Sequence, residues 1–83
     1  MEKILIKLFV PAINRTFDLF VPVDLEIAEL VRVIVSGVDY LCNGLYVPSN
    51  EEMLNAKDPN ILFDPNLTLY SYGIKDGSEL ILI

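Results

Sequence analysis

The sequence predicts an α+β fold: a mixed sheet of four to five strands with one main helix packed on one face. Three observations carry this. Apolar residues alternate at both ends of the chain, in "KILIKLFV" (3–10) and "SELILI" (78–83). A single run between them, from Asp24 to Gly44, repeats its apolar residues at helical spacing. The chain has 83 residues, enough for one domain spanning 1–83, and a hydrophobic content of 53% to fill its core.

The first strand, 3–10, places Ile4, Ile6, Leu8 and Val10 on one face and Lys3, Leu5, Lys7 and Phe9 on the other. Pro11, Asn14 and Arg15 mark a turn. "TFDLFVP" alternates again, with Phe17, Leu19 and Val21 opposite Thr16, Asp18 and Phe20, so the chain opens as a hairpin. Asp24 is placed to cap a helix, and Glu26 and Glu29 suit the positive end of its dipole. Ile27, Leu30, Val31, Ile34, Val38 and Leu41 form the apolar stripe of that helix. Gly44, in "CNG", suits its left-handed termination.

"LYVPS" (45–49) is expected as a short third strand ended by Pro48. "NEEMLNAK" is expected as one or two helical turns. "ILF" (61–63) lies as a very short strand between two Asp-Pro-Asn turns, at 58–60 and 64–66. "LTLYSYGI" is expected as a tight helical turn with a crossover, packed by Tyr70 and Tyr72. "KDG" makes a hairpin-type turn into the last strand. First and last strands, long and apolar, suit the centre of the sheet, which gives a β-grasp arrangement.

Composition excludes several chemistries. Histidine is absent and Cys42 is the single cysteine, which argues against a zinc site, histidine acid–base catalysis and an internal disulfide, and for a reducing compartment. A formal charge of -6 repels phosphate backbones, so no nucleic-acid partner is expected. The start "MEK" lacks a signal-peptide pattern. The apolar run from Leu25 to Leu41 contains Glu26, Glu29, Arg32 and Asp39, so no direct membrane insertion is expected. These features predict a soluble cytoplasmic protein.

"LTLYSYGIKDGSELILI" resembles the last third of a ubiquitin-like domain, in which a Leu-x-x-Tyr-x-Ile turn feeds the final strand; the matching residues are Leu69, Tyr72 and Ile74. The resemblance extends along the whole chain. "FVPAINRTFDLFVP" and "DPNILFDPNLTLYSYGI" are similar to the bacterial YukD/EsaB-type ubiquitin-like proteins, which accompany type VII (WXG-type) secretion systems of Gram-positive bacteria. The resemblance implies a small cytoplasmic accessory or regulatory component, with a secretion-system protein as partner, no enzyme activity, no catalytic residues and no cofactor. The segment from Asn50 to Asp64 departs from it, being longer than the equivalent link in ubiquitin.

A ubiquitin-like modifier or sulfur carrier is the rival expectation. Such proteins work through a flexible tail ending in two glycines. Here the last strand runs to Ile83, so the sequence predicts a domain without that handle. The alternation instead directs attention to the helix-free face. With Leu80 and Leu82 inward, Ile81 and Ile83 point out, together with Leu5, Phe9 and Phe20. If Leu45 and Val47 point inward, Tyr46 joins them. Such a cluster predicts a protein-binding patch, for a secretion component or for a second copy in a homodimer. The competing expectation is that 50–64, with Met53, Leu54, Ile61 and Leu62, folds over part of this face.

The remaining features have plain explanations. Asp58, Asn60, Asp64 and Asn66 lack the spacing of a calcium loop and fit paired turns. Glu51 and Glu52 fit a solvated helix start. Cys42 has no cation or base beside it in sequence and fits a half-buried small hydrophobe.

Overall fold

The computed structural model describes residues 2–57 and 60–83. Strand β1 (Lys3–Val10) leads through a short 3-10 turn, Pro11–Ile13, into β2 (Arg15–Pro22). Helix α1 (Ile27–Leu41) follows, then β3 (Leu54–Ala56), β4 (Ile61–Leu62) and β5 (Ser78–Leu82). The sheet order is β2-β1-β5-β3-β4. β1 and β5 run parallel at its centre, and the other pairs are antiparallel. This is the expected mixed sheet, with five strands and one helix.

Alternation decides which side chains meet the helix. Ile4, Ile6, Leu8 and Val10 of β1 and Leu80 and Leu82 of β5 are buried against Ile27, Leu30, Ile34 and Val38 of α1. Each such aliphatic side chain contributes about 1.5–3 kcal/mol when fully removed from water. Leu41, expected in the stripe, is exposed, and Val31 is only half-buried.

Several local expectations need correction. α1 starts at Ile27 rather than after Asp24, and no side chain caps it. Its first free amides are satisfied by a loop instead: Ile27 N–H donates to Leu67 O at 2.8 Å and Ala28 N–H to Pro65 O at 3.0 Å. The helix ends as expected, with Gly44 at φ +78° and its N–H bonded to Asp39 O at 3.1 Å.

Residues 45–49 form no strand. The third strand is Leu54–Ala56, within the segment expected to be helical, because its backbone pairs with β5 in the register Leu54↔Leu82, Asn55↔Ile81 and Ala56↔Leu80. Strands β3 and β4 therefore widen the sheet within its own plane.

The first Asp-Pro-Asn turn falls outside the described residues except for Asn60. In the second, Asn66 N–H bonds Asp64 Oδ1 at 2.9 Å. "LTLYSYGI" forms consecutive turns and no helix. Leu69 there is fully buried, and Tyr72 packs on Phe63 with ring centroids 4.7 Å apart. Tyr70, expected to pack the crossover, is exposed. The turn before β5 leads into a strand parallel to β1, so it joins no hairpin.

Candidate functional site

Among the described residues, no helix lies on the sheet face away from α1. Its layout follows from the register. Leu5 pairs with Phe20, Lys7 with Asp18 and Phe9 with Thr16 across β1 and β2. Lys7 also pairs with Glu79, and Phe9 with Ile81, across β1 and β5. Ile81 pairs with Asn55, which pairs with Leu62.

Three rows result. The first joins Leu5 to Phe20, which is 71% exposed. The second is charged: Asp18, Lys7 and Glu79. The third runs Phe9, Ile81, Asn55 and Leu62, with the exposed Ile83 and Met53 beyond it, joined by two backbone hydrogen bonds of 2.9 Å.

The five strand residues expected on this face therefore fall into two groups. Leu5 and Phe20 lie on one side of the charged row, and Phe9, Ile81 and Ile83 on the other. Leu5, Phe9 and Ile81 are half-buried by their neighbours. Among the described residues, none of the three charges makes an ion pair; the one pair within 4 Å is Arg32–Glu29 on α1.

Tyr46 is not on this face. It is 6% exposed and belongs to the core below the C-terminal end of α1. Its amide donates to Cys42 Sγ at 3.2 Å, and its hydroxyl donates to Glu52 Oε2 at 2.7 Å. These partners hold it inward, and Leu45 and Val47 consequently turn outward, Val47 at 80% exposure. Burial, then the Glu52 carboxylate, pushes the Tyr46 phenol up to about 12. Burial would raise Glu52, but hydrogen bonds from Tyr46 and from backbone amides outweigh it and hold the carboxyl below its ordinary value. Glu52 is thus a structural acceptor, and Cys42 is buried.

Although Met53 and Leu62 belong to the segment expected to fold over this face, the sequence did not place Met53, Asn55 and Leu62 in the sheet face itself. Alternation outward from Leu54 would have found the first two, had 54–56 been taken as a strand. The amide Oδ1 of Asn55 is shut off from solvent with no hydrogen-bond partner.

A separate cleft of about 710 Å³ lies between α1 and the segments around Met53 and Phe63, and its lining includes Ile27, Val31, Val35 and Leu54 together with Asp39 and Glu52. Among the described residues no group of three or more potential metal-ligating side chains converges. No helix among them is long and apolar enough to cross a membrane.

Comparison with known proteins agrees with this architecture. No curated protein sequence matches the chain. Among solved structures, the chain is similar to the ubiquitin-like domain of EccD5 from Mycobacterium xenopi, with a TM-score of 0.79 at 18% identity, covering 100% of this chain and 94% of that one. It is also similar to the ubiquitin-like domain of the Mycobacterium tuberculosis type VII secretion system protein EccD1, with a TM-score of 0.75 at 16% identity, covering 100% and 99%. The ubiquitin-like domain of Plasmodium falciparum Dsk2 matches at a TM-score of 0.65 and 19% identity, covering 99% and 100%. These structural similarities show the fold, which is ubiquitin-like. The family model described as "WXG100 protein secretion system (Wss), protein YukD" matches residues 5–82. With the β-grasp sheet, its single helix and this match over nearly all its length, the chain belongs to the YukD family of the WXG100 protein secretion system.

Proposed function

We propose that this domain is a non-conjugated, ubiquitin-like interaction module, acting as a cytoplasmic accessory or regulatory component of a type VII secretion system. It binds a protein component of that system through the open sheet face, and it carries out no catalysis. The observation that carries this proposal is the row Phe9–Ile81–Asn55–Leu62, continued by Ile83, on a face over which no helix lies among the described residues.

Burying a residue such as Phe20 or Ile81 contributes about 2 kcal/mol. Several together support association in the micromolar range, after the entropy of association is deducted. The row Asp18–Lys7–Glu79 adds direction. Its alternating charges set the register of a partner and disfavour apolar surfaces that bring no matching groups. Membership of the YukD family supports a partner within the secretion system.

The test is site-specific photo-cross-linking in a bacterium carrying a WXG100 system. A photoreactive analogue at Phe9 or Ile81 is expected to capture a component of that system. The same analogue at Tyr40, on the outer face of α1, is expected to capture none. Capture from Tyr40 alone would contradict the proposal.

A further inference from the structure

Val31 and Val35 directly follow the buried Leu30 and Ile34 in α1, yet each is only half-buried. Both line the cleft between α1 and the segments around Met53 and Phe63. The other wall carries Met53 and Leu62, 49% and 58% exposed, beside the buried Leu54 and Phe63. Along α1 the lining runs from Ile27 to Asp39, which spans about 18 Å of helix. Its residues fall into two rows spaced by four, 27-31-35-39 and 28-32-36, so the helix wall is ridged.

Charge is unevenly spread along this trough. Asp39 stands in the last turn of α1, which holds no basic residue. Glu52 is tied to the same end through the Tyr46 hydroxyl, since the Tyr46 amide bonds Cys42 at the helix C-terminus. The C-terminal end of the helix dipole adds to their negative charge. Arg32, the one cation of the lining, lies about 10 Å farther up the helix and is bonded to Glu29 at 3.2 Å. At the opposite end the lining is Ile27, Ala28 and Pro65, which carry no charge.

The walls offer side chains and little backbone. β3 is bonded on both sides, to β5 and to β4, and β4 is two residues long. An occupant must therefore satisfy its own N–H and C=O groups, as a helix does.

We infer that this cleft is a second docking site, which takes an amphipathic helix of a partner protein. About three turns fill its length. Apolar residues on one face of that helix meet Val31, Val35, Met53 and Leu62, ridge into groove. A lysine or arginine at one end lies beside Asp39 and Glu52. A second copy of this chain is the poorer occupant. Its α1 has already buried its apolar stripe and brings two acids, Glu29 and Asp39, against Arg32.

The inference stands apart from the open-face proposal, because Val31, Val35, Ser36 and Asp39 lie on the helix side of the sheet, although Met53 and Leu62 border both surfaces. The probe is a blocked helical peptide of about fourteen residues, leucine along one face and lysine at both ends, titrated into the isotope-labelled domain. Its control carries glutamate in place of lysine. The lysine peptide is expected to shift the methyl resonances of Val31, Val35, Met53 and Leu62, and to leave those of Leu5 and Ile81 in place. The glutamate peptide is expected to bind at least about fivefold more weakly at low salt, a gap that narrows as salt rises. Asp39→Asn should narrow the same gap. Ser36→Trp fills the cleft from an exposed position and is expected to weaken binding about tenfold or more. Unshifted Val31 and Val35 methyls at about 1 mM lysine peptide, a result that needs no variant to fold, would overturn the inference. Equal binding of the two peptides would do the same, as would shifts confined to Leu5 and Ile81. So would the same valine shifts on concentrating the domain alone, since the occupant would then be a second copy.

Discussion

Tyr46 donates its hydroxyl proton to Glu52 Oε2 across 2.7 Å, and Ser49 N–H reaches the same oxygen at 2.8 Å. This contact fastens the segment after α1 and turns Tyr46 into the core. Glu52 is held below its ordinary value, so the folded state favours its charged form. Its contribution is complete above the unfolded value and is lost as pH falls through the folded one. Tyr46 works in the other direction: its raised value keeps the phenol neutral, and its contribution fades as pH climbs toward about 12. Tyr46→Phe is expected to lower stability by about 1 kcal/mol at pH 7. The difference from wild type should shrink below the titration of Glu52. Urea melts of both proteins at pH 7 and in acid check this; a difference equal at both would contradict it.

Asp24 is the residue a sequence reader would choose as the helix cap, yet α1 begins three residues later on carbonyls of residues 65 and 67. Asp24→Ala is therefore expected to change stability by less than about 0.5 kcal/mol, against about 1 for a true cap. Leu69→Ala, which empties a fully buried site in the segment following those carbonyls, is expected to cost about 2–5 kcal/mol. Equilibrium denaturation of the two variants separates these outcomes.

Gly37 sits inside α1, where glycine disfavours helix, and no neighbour blocks a methyl group there. Gly37→Ala is expected to stabilise the domain by about 1 kcal/mol. For a domain of this size that raises the melting temperature by about 4–8 °C. Thermal unfolding followed by circular dichroism measures it directly, and a lowered midpoint would show that the helix flank is packed after all.

Asn55 holds an unsatisfied buried acceptor in the middle of the apolar row between Ile81 and Leu62. Replacing it with a strand-favouring apolar residue removes that penalty. Asn55→Val is expected to gain about 1 kcal/mol of stability. If a docked partner supplies the missing donor, the same change weakens docking. A stability measurement together with a pull-down separates the two effects.

The sequence made β1, β2, β5 and α1 legible because each is long enough for its period to be unambiguous. Leu80 and Leu82 go inward and Ile81 and Ile83 outward, as alternation requires. Residues 45–56 were less legible because tertiary partners overrule local pattern there. "LYV" alternates like a strand but finds no backbone partner, and Tyr46 turns inward to Cys42 and Glu52. "LNA" suits a helix by composition, yet pairing with β5 draws it into the sheet. The charged row was legible but overlooked: the alternation that exposes Leu5 and Phe9 also places Lys7 between them.

The central claim, that the open face docks a secretion component, is tested most directly by the double variant Phe20→Lys, Ile81→Lys. Tagged wild-type and variant domains are used as bait in a bacterium with a WXG100 system, and captured components of that system are identified by mass spectrometry. The account predicts that the variant loses the captured component while its circular dichroism melt stays within a few degrees of wild type. Retention of that component by a folded variant would contradict it, and so would loss of the fold itself, which would make these side chains part of the core.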